Sequence, residues 1–458
     1  MELWSAGRVY CKGGFEPDWG VLVDKDGLVD AFGPRAQLVA KAKKVRHYPD
    51  SLMMPSVVNP HHHGFHALFR GIAHQQDSYQ ALLESVIWPL GTCVDYELLE
   101  DAYRLAFADQ ALAGVSHIGE FHYLHNGAFS HQEESDFGRR IIDIALDMGL
   151  EITLIYAFFD QGHFEQAKAF IQPVDVSIQR FKSLKERYRH EDRVHILPGI
   201  HSLFHTSDEA ILAANELAKS YGDKLHIQLA ERQRDLEVAE SHYGTSPLKA
   251  MDKLGCLGDH LVIINGNALT EEEYALAKKH GCQFVLCPVS CMAKGDDVPN
   301  FPALVQHELP FTIGSDSASM NQGYSFLNEL KWLNFAWRNK QGHFEQWQNC
   351  RLCSKIWSLG TEQAMMVLGQ VPRSLAPGQF ANFILMDISG PAFRPRWNFD
   401  REAFTSQLIF GSGRHADVQH LIVRGRTIVK NGSLVSVDLD PHYRHLDQWC
   451  NAYMQTLD

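Results

Sequence analysis

Short apolar runs alternate with stretches of helical period along most of this chain. Counting the apolar run Leu52 to Val58 as the first, the extended runs are GVSHIGEFHYL, EITLIYAFF, VHILPGIHSL, KLHIQLAE, HLVIINGNA, CQFVLCPVS and LPFTIGSDS. They are too short and too rich in β-branched residues for helices, and read as buried strands. Between them the pattern predicts helices over Phe137 to Met148, near Val176 to Tyr188, over Ser207 to Tyr221, up to Gly255, and over Glu271 to His280. Asp77 to Ala113 also has helical period, with Leu82, Leu83, Val86, Ile87 and Leu90 on one stripe and an end near Gly114. Strand–helix alternation implies parallel strands with right-handed crossovers. Eight such strands close into a (β/α)8 TIM barrel, which places functional groups at the strands' C-terminal ends. A doubly wound open sheet is the alternative, weakened because no glycine-rich phosphate fingerprint follows any strand.

The chain ends have a different texture. GRVYCKGGF and WGVLVDKDGLVDAFG read as strands joined at Asp26-Gly27, followed by a mostly polar stretch from Lys41 to Ser51. After Gly360 come a helix, then QFANFILMD and VQHLIVRGRTIVKNGSLVSV, with Asn431-Gly432 as a hairpin turn. The two ends are therefore expected to pair into one small β-sandwich-like domain. The divisions that follow are residues 1–54 and 371–440 for that domain, 55–370 for the barrel, and 441–458 for a closing helix that includes His445 to Leu457.

Composition narrows the function. With 458 residues and a hydrophobic share of 45%, the chain is long enough to bury a large core. A net charge of −13 without a basic run argues against nucleic acid, an anionic membrane or a strongly acidic substrate as partner. A small, uncharged or mildly charged substrate fits better. No run approaches the roughly eighteen apolar residues of a membrane span, and Met1 to Gly7 has no signal-peptide pattern, so a cytoplasmic location is expected. The nine cysteines are scattered and read as reduced and mostly buried. Cys350 and Cys353 form a CxxC without a second pair, a weak zinc-knuckle signal.

The chemistry concentrates in NPHHHGFHALFRG, Asn59 to Gly71. His61 and His63 are two apart, so on an extended backbone both imidazoles point to one side and make half of a metal site, while His62 turns away. The other strand ends offer Glu120, His122 and His125, then His201 and His205, then His226, Gln228 and Glu231, and finally Asn265, Ser290 and Asp316. Titratable groups converging on one face suit a metal-dependent hydrolase, which needs ligands for the ion and a carboxylate to move a proton. Taken singly, His122, His125 and His226 also fit core or rim imidazoles, Cys287 fits the core, and Glu231 fits a salt-bridging helix start.

On NPHHHGFHALFRG, GEFHYLH, IHSL, IQLAERQRDLEVAE, TIGSDS and NELKWL, together with GQFANFILMD and LIVRGRTIVKNG, the chain resembles the amidohydrolase superfamily of metal-dependent deaminases and hydrolases over nearly its whole length. Within it the chain is most similar to formimidoylglutamate deiminase. The resemblance implies a barrel with an outer β-domain, a homodimer, and one divalent metal, zinc first, with iron or manganese as alternatives. It makes His61 and His63 the first two metal ligands and Asp316 the aspartate of the last strand. Glu231 becomes the glutamate that shuttles protons between the attacking water and the substrate nitrogen, and Tyr123 and His201 face the substrate.

The departures from that pattern fall on the same face. Gln228 stands where the third metal-binding histidine is expected, Asn265 where a water-orienting histidine is expected, Phe204 in place of a carboxylate-gripping arginine, and His66 in place of a glutamine. A glutamine offers only a neutral carbonyl oxygen, a poorer zinc ligand than imidazole, so affinity should fall. An asparagine holds water but takes no proton from it, which leaves proton transfer to Glu231 and Asp316. His226 is a possible substitute ligand but sits about 6 to 7 Å deeper by strand rise; His205, His66 and His122 are the loop-side substitutes. The expected site is thus His61, His63, Asp316 and Gln228 for metal, Glu231, Asp316 and Asn265 for catalysis, and Tyr123, His201, Phe204, His66 and His122 for substrate. The function implied is hydrolysis of a non-peptide C–N bond (amidine, formimino or ring amino) with altered specificity, formiminoglutamate itself being a poor substrate. The alternative is a catalytically degenerate descendant that keeps a small-molecule-binding or partner role.

Overall fold

A computed structural model describes the chain except residues 12–13, 130–135, 163–164, 342–355, 373, 396–400, 412–416, 436 and 456–458. Cys350 and Cys353 therefore lie outside the described residues.

Seven of the eight expected runs supply strands of one parallel sheet, but the first, Leu52 to Val58, is divided. Leu52 to Pro55 end the outer-sheet strand Lys44–Pro55, and the barrel strand begins only at Val57 and runs through the histidines. The members of the parallel sheet are Val57–His63, Val115–His122, Glu151–Phe158, Val194–Ile200, Leu225–Leu229, Leu261–Asn265 and Gln283–Leu286, followed by Phe311–Ile313 and Asp316–Ser317. The last two are halves of one eighth strand. Phe311–Ile313 pairs with the seventh strand and Asp316–Ser317 with the first, so the sheet closes into a barrel and the open doubly wound alternative does not apply. At the break, Gly314 N donates to Leu286 O (2.9 Å) and Ser315 N to His61 O (3.1 Å). A Cβ on Gly314 would lie 2.9 Å from Val285 Cγ1 and 3.1 Å from His61 Cβ, so only glycine fits this seam. Asn59 stitches the seam from the other side: its Nδ2 donates to Ser315 Oγ (2.7 Å) and its Oδ1 accepts from Ser315 N (3.1 Å).

Most helix limits follow local chemistry. Ser207 caps Asp208–Tyr221 by accepting from Ala210 N, and Gly222 ends it at φ 68°; Thr270 and Glu273 form a capping box on Glu271–His280. Two stretches of helical period are broken instead. Residues 77–113 divide into Tyr79–Leu82, a π-turn Leu83–Ile87, Trp88–Gly91, and Tyr96–Leu112 with Asp95 as its N-cap. The segment ending at Gly255 divides into Gln233–Tyr243 and Pro247–Lys253, because Gly244 takes φ 62° and Pro247 starts a new first turn.

Both chain ends meet in an eight-stranded sheet, joined where Lys44–Pro55 pairs antiparallel with Phe383–Asp387. The polar stretch from Lys41 is thus largely strand. Lys44 to Tyr48 pair only with Glu2 to Ala6, whereas Ser51 to Pro55 are also flanked by Phe383–Asp387, which is why the first half is polar and the second apolar. One face of the sheet buries Trp4, Val21, Met53, Phe383, Leu385 and Ile422 in its own core. The opposite face sends Leu52, Met54, Ile384 and Leu421 into the barrel core. At the second hairpin Asn431 (φ 51°) and Gly432 (φ 73°) both have positive φ, as a type I′ turn requires.

The terminal helix Asp440–Met454 lies against Tyr96–Leu112. Buried Asp101 receives His442 Nδ1 at 2.6 Å and His445 Nδ1 on its other oxygen. That hydrogen bond and the charge of Asp101 raise the His445 pKa above its ordinary value. A raised folded-state pKa contributes stability that is fully present below about 6.5 and is lost as pH rises through the folded value. The melting-temperature gap between wild type and Asp101→Asn is therefore expected to be wider near pH 6 than near pH 9; an equal gap at both would count against the latch. Among the described residues, no helix is long and apolar enough to cross a membrane.

Candidate metal centre and active site

The first strand delivers His61 and His63 to the barrel interior, their rings 4.8 Å apart and nearly perpendicular. His63 Nδ1 donates to the carbonyl of Phe121 (3.2 Å), which fixes the tautomer and leaves the Nε2 lone pair facing inward. That Nε2 lies 3.0 Å from Asp316 Oδ1, and His61 Nε2 lies 3.7 Å from the same oxygen. Among the described residues, neither nitrogen of fully buried His61 has a hydrogen-bond partner. Buried polar atoms are seldom left so. The ligand atoms of His61, His63 and Asp316 all lie within 4.8 Å of one another, and an ion among them would satisfy the orphaned imidazole, so the residues fit a divalent metal. Burial lowers the His61 pKa, which keeps the ring neutral as a ligand must be. Burial would raise the Asp316 carboxyl, but Lys294, then His61 and His63, outweigh it and hold it well below its ordinary range.

The departures from the family pattern sit around this cluster. Gln228 Nε2 donates to His63 Nε2 at 3.2 Å, so its amide reaches the position from which the missing imidazole would act. Asn265 takes a structural part: its Nδ2 donates to Glu231 Oε1 (2.8 Å) and its Oδ1 accepts from Cys287 N (2.8 Å). Three residues at these strand ends adopt left-handed backbone, Ala230 at φ 52°, Asn265 at 65° and Asp316 at 59°. Asn and Asp tolerate that region, while for alanine it is a local cost concentrated at a functional site.

Sequence reasoning missed Lys294. It ends the short helix Pro288–Lys294, one turn after Ser290, so both reach the same carboxylate: Ser290 Oγ donates to Asp316 Oδ2 (2.6 Å) and Lys294 Nζ lies 3.0 Å from it. Lys294 Nζ is also 3.7 Å from Glu231 Oε2 and 3.7 Å from Asp296 Oδ2, with its side chain 3% exposed. Burial opposes its charge, but Asp316 and then Glu231 hold the ammonium well above its ordinary pKa. Arg232 adds a second cation, 3.4 Å from Glu231 Oε2 and 3.3 Å from Asp296 Oδ2. The signal in the sequence was the i, i+4 spacing of Ser290 and Lys294 after a strand end. Glu329, in NELKWL, anchors this helix by accepting from Val289 N (3.1 Å), and burial pushes its carboxyl up to about 8.

Aromatic rings pack beside the cluster, Tyr123 lying 5.4 Å from His63. His66 Nε2 is 2.7 Å from Tyr123 Oη and its Nδ1 2.7 Å from Ser317 Oγ. Tyr123 and Phe159 lie 6.2 Å apart and nearly parallel, Phe159 stacks on His205 at 4.6 Å, and His205 faces Phe204 at 5.7 Å. His201 packs edge-on against Tyr123 and Phe159, 4.7 Å from each. The Arg234 guanidinium lies 4.7 Å from the Phe204 ring. His122 is elsewhere: between inward-facing Phe121 and Tyr123 it points out of the barrel, with His125, Tyr156 and Arg180, into a separate cavity of about 390 Å3. His125 Nε2 donates to Ala157 O and His226 Nε2 to Val367 O, both at 2.8 Å, so neither serves as the replacement ligand. His62 and Glu120 form an outer brace: Glu120 accepts from His62 Nδ1 (2.7 Å), Gly64 N (2.8 Å) and Tyr103 Oη (2.9 Å).

Comparison with known proteins agrees with this geometry. The model of the amidohydrolase family matches residues 52–428. The chain is 24% identical to a 5'-deoxyadenosine deaminase of Methanopyrus kandleri over 92% of both chains. Its fold is similar to that of an adenosine deaminase from Xanthomonas campestris with bound zinc (TM-score 0.87, 21% identity, 99% of this chain and 98% of that one). It is also similar to atrazine chlorohydrolase from Arthrobacter aurescens complexed with zinc (TM-score 0.87, 16% identity, 98% and 99%). The Methanopyrus kandleri relative, like a 5-methylthioadenosine/S-adenosylhomocysteine deaminase of Aquifex aeolicus (23% identical over 96% of both chains), is an adenosine-type deaminase rather than a formimidoylglutamate deiminase. With the family model spanning most of its length, and with the barrel, the outer sheet and the His61–His63–Asp316 cluster in place, the chain belongs to the amidohydrolase family.

Proposed function

We propose that this protein is a metal-dependent hydrolase that removes a ring amino group, as ammonia, from a small, flat, uncharged heterocycle, with adenosine-type nucleosides the first class to test. The observation that carries this reading is the convergence of His61, His63 and Asp316 near Glu231, beside a cluster of aromatic rings. A bound divalent ion, zinc by analogy with the similar structures, supplies Lewis acidity and lowers the pKa of water. His61, His63 and Asp316 would hold it, with the Gln228 amide beside them, its Nε2 3.2 Å from His63 Nε2.

The remaining steps belong to side chains. Glu231 takes a proton from the attacking water at a carboxylate oxygen and returns it to the leaving nitrogen, held in place by Asn265. Tyr123, hydrogen-bonded to His66, presents its phenol to the substrate, and Phe159, His201, His205 and Phe204 offer ring faces and edges for stacking. Phe204 itself supplies no cation and the nearby Arg234 guanidinium faces its ring at 4.7 Å, so the preference for neutral substrates rests on the aromatic lining. The ion pairs from Lys294 to Asp316 and Glu231 favour a second reading, a binding descendant without turnover.

Ammonia release from zinc-loaded protein separates the two readings, using adenosine, 5'-deoxyadenosine and N-formimino-L-glutamate. Release from a nucleoside that stops on chelation, with none from N-formimino-L-glutamate, is the expected result. Turnover of N-formimino-L-glutamate at an ordinary enzymic rate would overturn the interpretation of Phe204, and release from none of the three would favour the binding reading.

A further inference from the structure

Lys294 is a buried ammonium placed where a metal centre ordinarily keeps uncompensated negative charge. The two oxygens of Asp316 have different partners. Oδ1 faces His61 and His63, while Oδ2 accepts from Ser290 Oγ at 2.6 Å and meets Lys294 Nζ at 3.0 Å. Glu231 and Asp296 complete the cage around Nζ, each at 3.7 Å, and Arg232 spans the same two carboxylates. A buried charge is tolerated only when it is paired, and here every carboxylate of the cage has a cationic side chain beside it.

We propose that Lys294 is a built-in counter-cation that balances the carboxylates of the centre in the ion-free protein and competes with a divalent ion for Asp316, making this a weak, exchangeable metal site. The proposal rests on the metal-dependent reading above. Three carboxylates against Lys294 and Arg232 leave one net negative charge, which a divalent ion overcompensates. Without the ammonium, the same carboxylates and Arg232 would be neutralised by one divalent ion. An ion on Oδ1 and an ammonium on Oδ2 of one buried carboxylate also repel each other at a separation where solvent screens poorly. Gln228, in place of an imidazole, weakens the site in the same direction. The ammonium is held in position because its helix is anchored through Val289 N to Glu329.

The test compares wild type, Lys294→Met, Lys294→Gln and the charge-preserving Lys294→Arg. Zinc affinity is measured by competition with a chromophoric chelator, and melting temperature in EDTA and in excess zinc. Met and Gln variants are expected to bind zinc at least about tenfold tighter than wild type. They are also expected to melt below wild type in EDTA and to gain more from zinc, with the Arg variant near wild type throughout. A variant that folds only with zinc is the extreme form of that result. Unchanged or weaker zinc affinity in both neutral variants overturns the proposal and leaves the metal-dependent reading standing. No zinc binding by wild type or by any variant overturns both.

Discussion

Replacing His61 and His63 together by alanine is expected to abolish stoichiometric divalent-ion binding while leaving a folded barrel. The two imidazoles are most of the donor set, because Asp316 shares its other oxygen with Ser290 and Lys294, and Gln228 offers only an amide. Losing both should weaken zinc binding on the order of a thousandfold or more, since neutral oxygen donors do not replace nitrogen ligands at such a site. The fold should survive, because the barrel is closed by backbone pairing of His62 and His63 with Asp316 and Ser317 and by the Asn59–Ser315 bonds, none of which uses the imidazoles of His61 or His63. The groups that lose a hydrogen-bond partner are the Phe121 carbonyl and Gln228 Nε2, both bonded to His63. Metal analysis of protein purified without chelator, alongside circular dichroism, checks both halves. One equivalent of metal retained by the double variant would place the ion elsewhere.

Glu231→Gln is expected to lower kcat about 10²- to 10⁴-fold, with KM little changed, on whichever substrate releases ammonia. The substitution keeps the shape that Asn265 and Arg232 contact but removes the group that accepts a proton. Asn265 cannot stand in, since its Nδ2 is engaged by Glu231 and its Oδ1 by the Cys287 amide. Steady-state kinetics on zinc-loaded protein decides it; a kcat within about twofold of wild type would remove Glu231 from the proton path.

The middle barrel strands were legible because burial on both faces makes them read as apolar runs, as in Glu151–Phe158 and Leu261–Asn265. The first, VVNPHHH, was placed too early because the preceding apolar residues belong to the outer sheet. Helical period was less reliable. It runs through 77–113 without registering the π-turn at Leu83–Ile87 or the break between Gly91 and the Asp95 cap, because periodicity records a buried stripe and not the pattern of hydrogen bonds. In the site, His61, His63 and Asp316 could be placed from strand parity and the family resemblance. Parity also explains His122, which lies one residue from inward-facing Tyr123 and so on the outer side of the wall. Lys294 was not legible from strand ends, because its ammonium comes from the last turn of a helix that follows one. The latch on Asp101 was equally hidden, since it joins residues 341 and 344 positions apart.

The split eighth strand has a consequence for how the site is made. Asp316 belongs to the half-strand that pairs with the first strand, and the Asn59–Ser315 bonds that secure that pairing connect positions 256 residues apart. Closure entropy for so long a loop must be met before any of these contacts forms, so the seam belongs among the late events of folding. A chain emerging during synthesis with its first seven strands already complete still lacks both the seam and the carboxylate. Barrel closure and assembly of the His61–His63–Asp316 centre are therefore the same event, and a partly folded chain cannot present a finished ion site ahead of a finished barrel.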